Sequence, residues 1–154
     1  MIFLLFQLDE SRFALDARQV VEVLPLVDIR RIPQAPDGVA GIIDFRGTPV
    51  PVVDLSLIIL GRPAHRLLST RLVVVRSADH SGHTRFLGLI AERATGTLRR
   101  EPADFIDSGV TTDGALYLGP VAADERGFVQ WVDASQILPP LVRDALSMSP
   151  AVPE

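Results

Sequence analysis

The chain has 154 residues, no cysteine and a net charge of −4, with 47% hydrophobic and 22% charged residues. This length suits one compact domain, and the balance of apolar and charged residues argues against extended disorder. The negative charge argues against a nucleic-acid-binding protein, and the lack of cysteine excludes disulfides, thiol nucleophiles and thiolate metal sites.

The first ten residues, "MIFLLFQLDE", contain a short apolar run without the basic region or the cleavage site of a signal peptide. They are predicted to form the first β-strand. No window of the sequence approaches the roughly 20 apolar residues that a membrane helix requires. We therefore expect a cytoplasmic protein without direct membrane insertion.

Short apolar runs separated by Gly, Pro and Asp are typical of an all-β sandwich or barrel with a few short helices. The sequence predicts ten strands, in chain order residues 2–8, 12–15, 28–32, 39–45, 48–53, 71–76, 86–91, 96–100, 115–122 and 128–132. The stretch "SADHSGHT" is predicted to be a hairpin loop, and "PQAPDG" a rigid entry into the strand at 39–45.

A first helix is predicted in "DARQVVEVL", where Asp16 can act as N-cap, Gln19 follows at capping-box spacing and Pro25 ends the run. Its buried face would consist of Val20, Val23 and Leu24.

Two further aspartates are placed to cap helices. Asp54 precedes "LSLIIL", which Gly61 ends, and Asp133 precedes "ASQIL". A final amphipathic helix is expected over residues 141–148, followed by a Pro-containing tail. We favour capping over any catalytic role for Asp54 and Asp133.

Two stretches of the chain are similar in sequence: "DFRGTPVPVVDLSLII" and, in the second half, "DERGFVQWVDASQIL". Likewise, "RFALDARQVVEVL" is similar to the later segment "RFLGLIAERATGTL". The separation along the chain varies somewhat from one pair of matching residues to the next, as expected for a duplication with an insertion. A repeat of this length predicts two related subdomains and not a solenoid. The matching residues are Arg12 with Arg85, Arg46 with Arg126, and Asp54 with Asp133.

The repeat predicts a domain over residues 1–140, made of two coupled small barrels, with residues 141–154 as C-terminal helix and tail. The first copy covers about 12–60 and the second about 85–138. In each copy Arg-Gly is expected to form a tight hairpin turn, since Gly permits positive φ. Arg46 would then be an exposed guanidinium beside an apolar face, as in an interface anchor, and Arg126 would occupy the equivalent turn.

The string "FIDSGV" resembles the active-site loop of aspartic peptidases, which need two carboxylates sharing a proton. A dimer centred on Asp107, Ser108 and Gly109 is therefore an alternative to a simple turn. However, "LYLG" follows too soon along the chain to leave room for the intervening barrel. His80 and His83 could contribute to a metal site but lack a third ligand in register, so no cofactor or metal is expected.

The segment "GVAGIIDFRGTPVPVVDLSLIILGRP" resembles the central motif of the CheW-like domain family. That motif is Gly-aliphatic-aliphatic-Asn-Leu-Arg-Gly, followed by Pro-Val-aliphatic-Asp-Leu and Leu-Gly. The flanking segments "RFALDARQVVEVLPLVDIRRIPQAP", "RFLGLIAERATGTLRREPADFI" and "YLGPVAADERGFVQWVDASQIL" are similar to the rest of the family domain. Asp44 and Phe45 replace the usual Asn and Leu, and Glu92 stands near a frequent Asp.

The resemblance implies two intertwined SH3-like five-stranded β-barrels related by pseudo-twofold symmetry. It implies a non-enzymatic adaptor without cofactors, which couples the regulatory domain of a CheA-type histidine kinase to the cytoplasmic tip of methyl-accepting chemoreceptors. Carried over by motif, the partner-binding positions are Val20, Glu22, Gly41, Arg46, Gly47 and Gly88. An adaptor of a Wsp-type surface-sensing pathway and a regulatory domain of a larger kinase are the open alternatives.

Overall fold

The computed structural model describes residues 1–78, 83–111 and 114–137. Within these residues the chain forms ten β-strands and one short α-helix. The elements in chain order are β1 (Ile2–Leu8), β2 (Ser11–Asp16), β3 (Val20–Pro25), β4 (Val39–Phe45), β5 (Thr48–Asp54), α1 (Leu55–Leu60), β6 (Arg71–Ala78), β7 (Thr84–Ala91), β8 (Gly96–Arg99), β9 (Leu118–Asp124) and β10 (Gly127–Val132). Three single-turn 3₁₀ helices cover Ala17–Gln19, Pro102–Asp104 and Ala134–Gln136.

The strands form two five-stranded sheets that confirm the predicted pair of barrels. The first barrel has the strand order β3-β6-β7-β5-β4, and the second has β8-β1-β2-β10-β9. The chain therefore starts in the second barrel, builds the whole first barrel and then returns. Each predicted repeat copy contributes strands to both barrels, which is why the two are intertwined.

The two barrels have the same strand pairings throughout, including one parallel pair each, β5 with β7 and β10 with β2. The hairpins β4–β5 and β9–β10 agree in register, with one constant offset along the chain between equivalent residues. The matching pairs are Phe45↔Thr48 with Asp124↔Gly127, and Val39↔Val53 with Leu118↔Val132. The internal duplication read from the sequence is thus also present in the backbone pairing.

This common register corrects the predicted alignment of the two Arg-Gly turns. Because Phe45 and Asp124 are equivalent, Arg46 corresponds to Glu125, and Gly47 corresponds to Arg126. Arg126 therefore lies in the corresponding turn but one position away from the place of Arg46. Matching residue types pairs Arg46 with Arg126, whereas the pairing of the strands determines which residues are structurally equivalent.

The predicted helix after Asp16 is wrong beyond its first turn. The carboxylate of Asp16 does accept the backbone N–H of Arg18 at 2.9 Å, but only the single turn Ala17–Gln19 follows. The next residues form β3, which pairs antiparallel with β6, and Val23 is 40% exposed instead of buried. The β-branched valines of this segment fit a pleated strand better than a helix.

The predicted strand at 28–32 is also absent. Arg30 forms only an isolated bridge to Ile42, with both N–H···O distances at 2.9 Å. A proline on each side, Pro25 and Pro33, removes backbone donors that a longer ladder would need. The other nine predicted strands are confirmed, with differences of a few positions at their ends.

The capping predictions are confirmed for two aspartates. Asp54 accepts the N–H of Leu57 at 3.3 Å at the start of α1, which ends at Gly61 with φ of +78°. Asp133 accepts the N–H of Ser135 at 3.0 Å at the start of the turn Ala134–Gln136. The predicted helix at 141–148 and the tail lie outside the described residues.

A core shared by both barrels holds them together. It combines residues of the second barrel, such as the stacked rings of Phe6 and Phe13, with residues of the first, such as Val73 and Leu87. Each barrel also has a smaller interior cluster of its own. Because the shared cluster draws on both sheets, neither barrel can bury its apolar surface alone.

Candidate functional site

The turn between β4 and β5 carries the candidate docking residue. Phe45 pairs with Thr48, and the two residues between them, Arg46 and Gly47, have φ of +54° and +83°. Two positive φ values define the tight hairpin turn whose twist matches that of the strands. The carboxylate of Asp44 accepts the N–H of Gly47 at 2.8 Å and so stabilises the turn.

The guanidinium of Arg46 is held in place although it faces solvent. It donates to Oε1 of Glu22 at 2.7 Å, and its Cζ lies 4.6 Å from the centre of the Phe45 ring. The side chains of Arg46 and Glu22 are 65% and 39% exposed. Surface ion pairs contribute little to stability, typically about 0–1 kcal/mol, so this pair orients the Arg46 guanidinium more than it stabilises the fold.

The ion pair also spans the ends of the first barrel's sheet. Glu22 lies on β3 and Arg46 follows β4, and these strands are the two ends of the strand order. Contact between them shows that the sheet curls back on itself. The turn therefore lies against β3 at Glu22.

Among the predicted partner-binding positions, Val20 joins this surface to the junction of the barrels. It pairs with Val75, is half-buried and packs against the shared core. β3 therefore runs from the junction, through Glu22, towards exposed Val23. Val20, Glu22, Arg46 and Gly47 are thus brought together along one strand and one turn.

The two remaining predicted positions, Gly41 and Gly88, are explained by packing. A Cβ on Gly41 would lie 2.1 Å from the carbonyl oxygen of Arg30, at φ of +148°. A Cβ on buried Gly88 would lie 3.1 Å from Val52 and 3.2 Å from Leu72. Close approach of neighbouring atoms accounts for both glycines, and a partner contact at either one stays a prediction.

Comparison with known proteins agrees with this architecture. The family model described as the CheW-like domain matches residues 3–140. The chain belongs to the CheW-like domain family. The structure is similar to the scaffolding protein TtCheW from Thermoanaerobacter tengcongensis, with a TM-score of 0.74 and 23% identity over 86% of this chain and 84% of that one. This likeness confirms the fold.

Two curated relatives carry the name chemotaxis protein CheW. The one from Thermotoga maritima is 31% identical over 94 residues, which are 61% of this chain and 58% of the relative. The one from Helicobacter pylori is 24% identical over 102 residues, which are 66% of this chain and 59% of the relative. The chain thus spans less than two thirds of the length of either relative.

Sequence reasoning missed a charged cluster at the junction of the barrels of this CheW-like domain. Glu92, 5% exposed, accepts hydrogen bonds from Arg62 at 2.7 Å, from the hydroxyl of Ser56 at 2.7 Å and from the backbone N–H of His65 at 3.0 Å. Arg62 also donates to Asp9 at 2.7 Å. Since Asp9 lies between β1 and β2, Arg62 links the two barrels.

The pKa of Glu92 reflects this cluster. Burial raises the pKa of the carboxyl, but the hydrogen bonds from Arg62, Ser56 and His65 outweigh it and lower the pKa to about 2. Glu92 is therefore an anion at neutral pH, paired inside the protein. The sequence singled out Glu92 as unusual, but its partner Arg62 lies 30 positions away and no spacing rule connects the two.

The peptidase alternative has no support in the described part of the chain. Asp107 lies on an exposed loop, and its Oδ1 accepts the N–H of Gly109 at 2.8 Å, as in the simple turn. Ser108 accepts the N–H of Val110 at 3.2 Å. Both side chains are used to shape the loop.

Of the two histidines considered for a metal site, His80 lies outside the described residues. Among residues 1–78, 83–111 and 114–137, no cluster of three or more His, Asp or Glu has the arrangement of a metal site. Within the same residues, no helix has the length and apolar character needed to cross a membrane.

Proposed function

We propose that this protein is a non-enzymatic cytoplasmic adaptor, which couples a CheA-type histidine kinase to the cytoplasmic tip of methyl-accepting chemoreceptors. Its membership of the CheW-like domain family supports this function. The observation that carries it is the exposed guanidinium of Arg46, fixed by Glu22 and Phe45 inside the family's central motif. Such a preorganised charge loses little side-chain freedom when a partner binds.

For the receptor tip, which is a helical hairpin, the surface along β3 is the proposed docking site. β3 leads from Val20 at the shared core to Val23, which is 40% exposed. Glu22 lies on β3 between Val20 and Val23, and its ion pair with Arg46 can fix the orientation of a helix.

For the kinase regulatory domain, the second barrel offers an exposed apolar surface. Ile106 and Phe128 are 65% and 68% exposed, and together with Val121 and Ala123 they line a depression of about 370 Å³. Large exposed apolar side chains grouped in this way mark protein–protein contacts. A barrel of the kinase would cover them in a barrel-to-barrel contact.

A charge reversal tests the adaptor function. Arg46→Glu is expected to leave the thermal unfolding midpoint nearly unchanged but to weaken binding of the receptor hairpin, the kinase regulatory domain or both. Arg93→Glu is the matched control, because Arg93 is likewise exposed with a positive φ, of +49°, and belongs to neither proposed surface. If the folded Arg46→Glu protein binds both partners as tightly as the control does, the proposed role of Arg46 is wrong.

A further inference from the structure

A groove on the first barrel lies between α1 and the connection from β3 to β4. It has a volume of about 440 Å³, and Leu26, Ile29, Ile32 and Leu57 contribute apolar walls. Ile32 has a large apolar side chain but is 40% exposed. Part of the apolar lining is therefore accessible to solvent.

Two arginines, Arg31 and Arg66, line the same groove and are exposed. In the described part of the chain neither side chain has a hydrogen bond or ion pair, unlike Arg46 and Arg62. Unpaired guanidiniums beside an apolar surface attract carboxylates, to which they can donate two parallel hydrogen bonds.

One carboxylate, Asp54, also lines the groove, but it is already engaged. Its Oδ1 accepts the N–H of Leu57 and its Oδ2 accepts the N–H of Ala64, at 3.3 Å and 3.0 Å. Asp54 is only 7% exposed. Its charge therefore stabilises the groove wall and leaves the arginines as the accessible charges.

The second barrel shows that the fold does not require a positive charge at the position of Arg31. Ile42 and Val121 are equivalent in the register of the two hairpins, and each forms an isolated bridge, to Arg30 and to Ile106 respectively. Arg31 and Asp107, which follow these bridge partners, therefore correspond to each other. Asp107 indeed lines a depression of about 450 Å³ on the second barrel. The same backbone arrangement thus carries a cation on one barrel and an anion on the other.

From these observations we propose that the first-barrel groove binds an acidic peptide segment of a partner protein. One or two large apolar side chains of the segment occupy the groove beside Ile32, and flanking carboxylates pair with Arg31 and Arg66. This site is separate from the Arg46 surface and does not depend on the identity of the kinase or the receptor. The contact combines an apolar anchor with a charged rim, as peptide grooves commonly do.

The test is the fluorescence anisotropy of a labelled peptide in which a Leu-Phe pair is flanked by glutamates on both sides, titrated with the full chain. Saturable binding is expected below about 1 mM, and replacing the glutamates by lysines or Leu-Phe by Ser-Ser is expected to abolish it. Absence of saturation, or equal binding of the lysine peptide, would overturn the proposal.

Variants locate the site. Arg31→Glu with Arg66→Glu is expected to weaken binding about tenfold or more, and Ile32→Ser alone to weaken it several-fold. The matched control is Arg99→Glu with Arg126→Glu, which changes the net charge equally at two exposed arginines on the second barrel. Equal losses in both double variants would show attraction to net charge only and would contradict the groove. So would wild-type dimers that the groove variant converts to monomers, since the occupant would then be a second copy.

Discussion

Glu22 and Arg46 meet at 2.7 Å across the two ends of one five-stranded sheet. The first prediction is that exchanging them, in Glu22→Arg with Arg46→Glu, restores the ion pair but not partner binding. The exposed pair is worth at most about 1 kcal/mol, so the exchange variant should unfold in urea close to the wild type. Its binding of the receptor hairpin should remain weak, because the receptor then faces the opposite charge.

Each single variant serves as a control for this exchange. If binding returns when the pair is restored in reversed order, the pair acts by shaping the turn, and direct contact by the Arg46 guanidinium is ruled out. A double-mutant cycle on the urea midpoints would give the coupling energy between the two side chains.

The second prediction concerns Glu92 at the junction. Glu92→Gln should lower the free energy of unfolding at neutral pH by roughly 1–3 kcal/mol, because Arg62 loses its buried anionic partner. Urea unfolding measures this loss. Glu125→Gln, at an exposed turn position, should change stability little.

The effect of Glu92→Gln should depend on pH. Folding lowers the pKa of this carboxyl from 4.5 to about 2, so its stabilising contribution is complete above about pH 5. The contribution is then lost as the pH falls through 4.5 towards 2, because the unfolded chain takes up the proton first. The difference in unfolding free energy between the wild type and Glu92→Gln should therefore shrink over this range. A constant difference would contradict the assigned pKa.

The third prediction separates packing from partner contact at Gly88. Gly88→Ala should destabilise the protein by about 1–3 kcal/mol, because the new Cβ presses against Val52 and Leu72. Gly96→Ala is the control, since the nearest atom, on Leu5, lies 4.0 Å away. With equal amounts of folded protein, both variants should bind partners like the wild type. Selective loss of binding in folded Gly88→Ala would instead support a contact role.

The fourth prediction concerns Gly41. Gly41→Ala should break the bridge between Arg30 and Ile42, because its Cβ would overlap the Arg30 carbonyl. Gly109→Ala provides a reference, since Gly109 also has positive φ but open space around it, and should cost only about 1–2 kcal/mol. Thermal and urea unfolding should rank Gly41→Ala as clearly the more destabilised of the two. Equal losses of stability would mean that the backbone around Arg30 shifts to accommodate the new Cβ without an added cost in free energy.

Short sequence patterns predict the structure correctly where the interactions that produce it involve neighbouring residues. The caps at Asp54 and Asp133 were predicted because a carboxylate needs only the next backbone N–H groups to form one. The segment after Asp16 was assigned wrongly because its cap is real but the valines that follow pair with β6, a strand far along the chain. Pairing with a distant strand leaves no signal in a short window.

The sequence by itself determined that the chain is a duplicated all-β domain with capped helical turns and an exposed Arg-Gly hairpin, since strand alternation, turn residues and repeats are written in neighbouring positions. Only the tertiary structure decided that Arg46 corresponds to Glu125, that Glu22 is its partner and that Arg62 joins Glu92 to Asp9. These relationships depend on strand register and on closure of the barrels, which bring side chains distant in the chain within hydrogen-bonding distance.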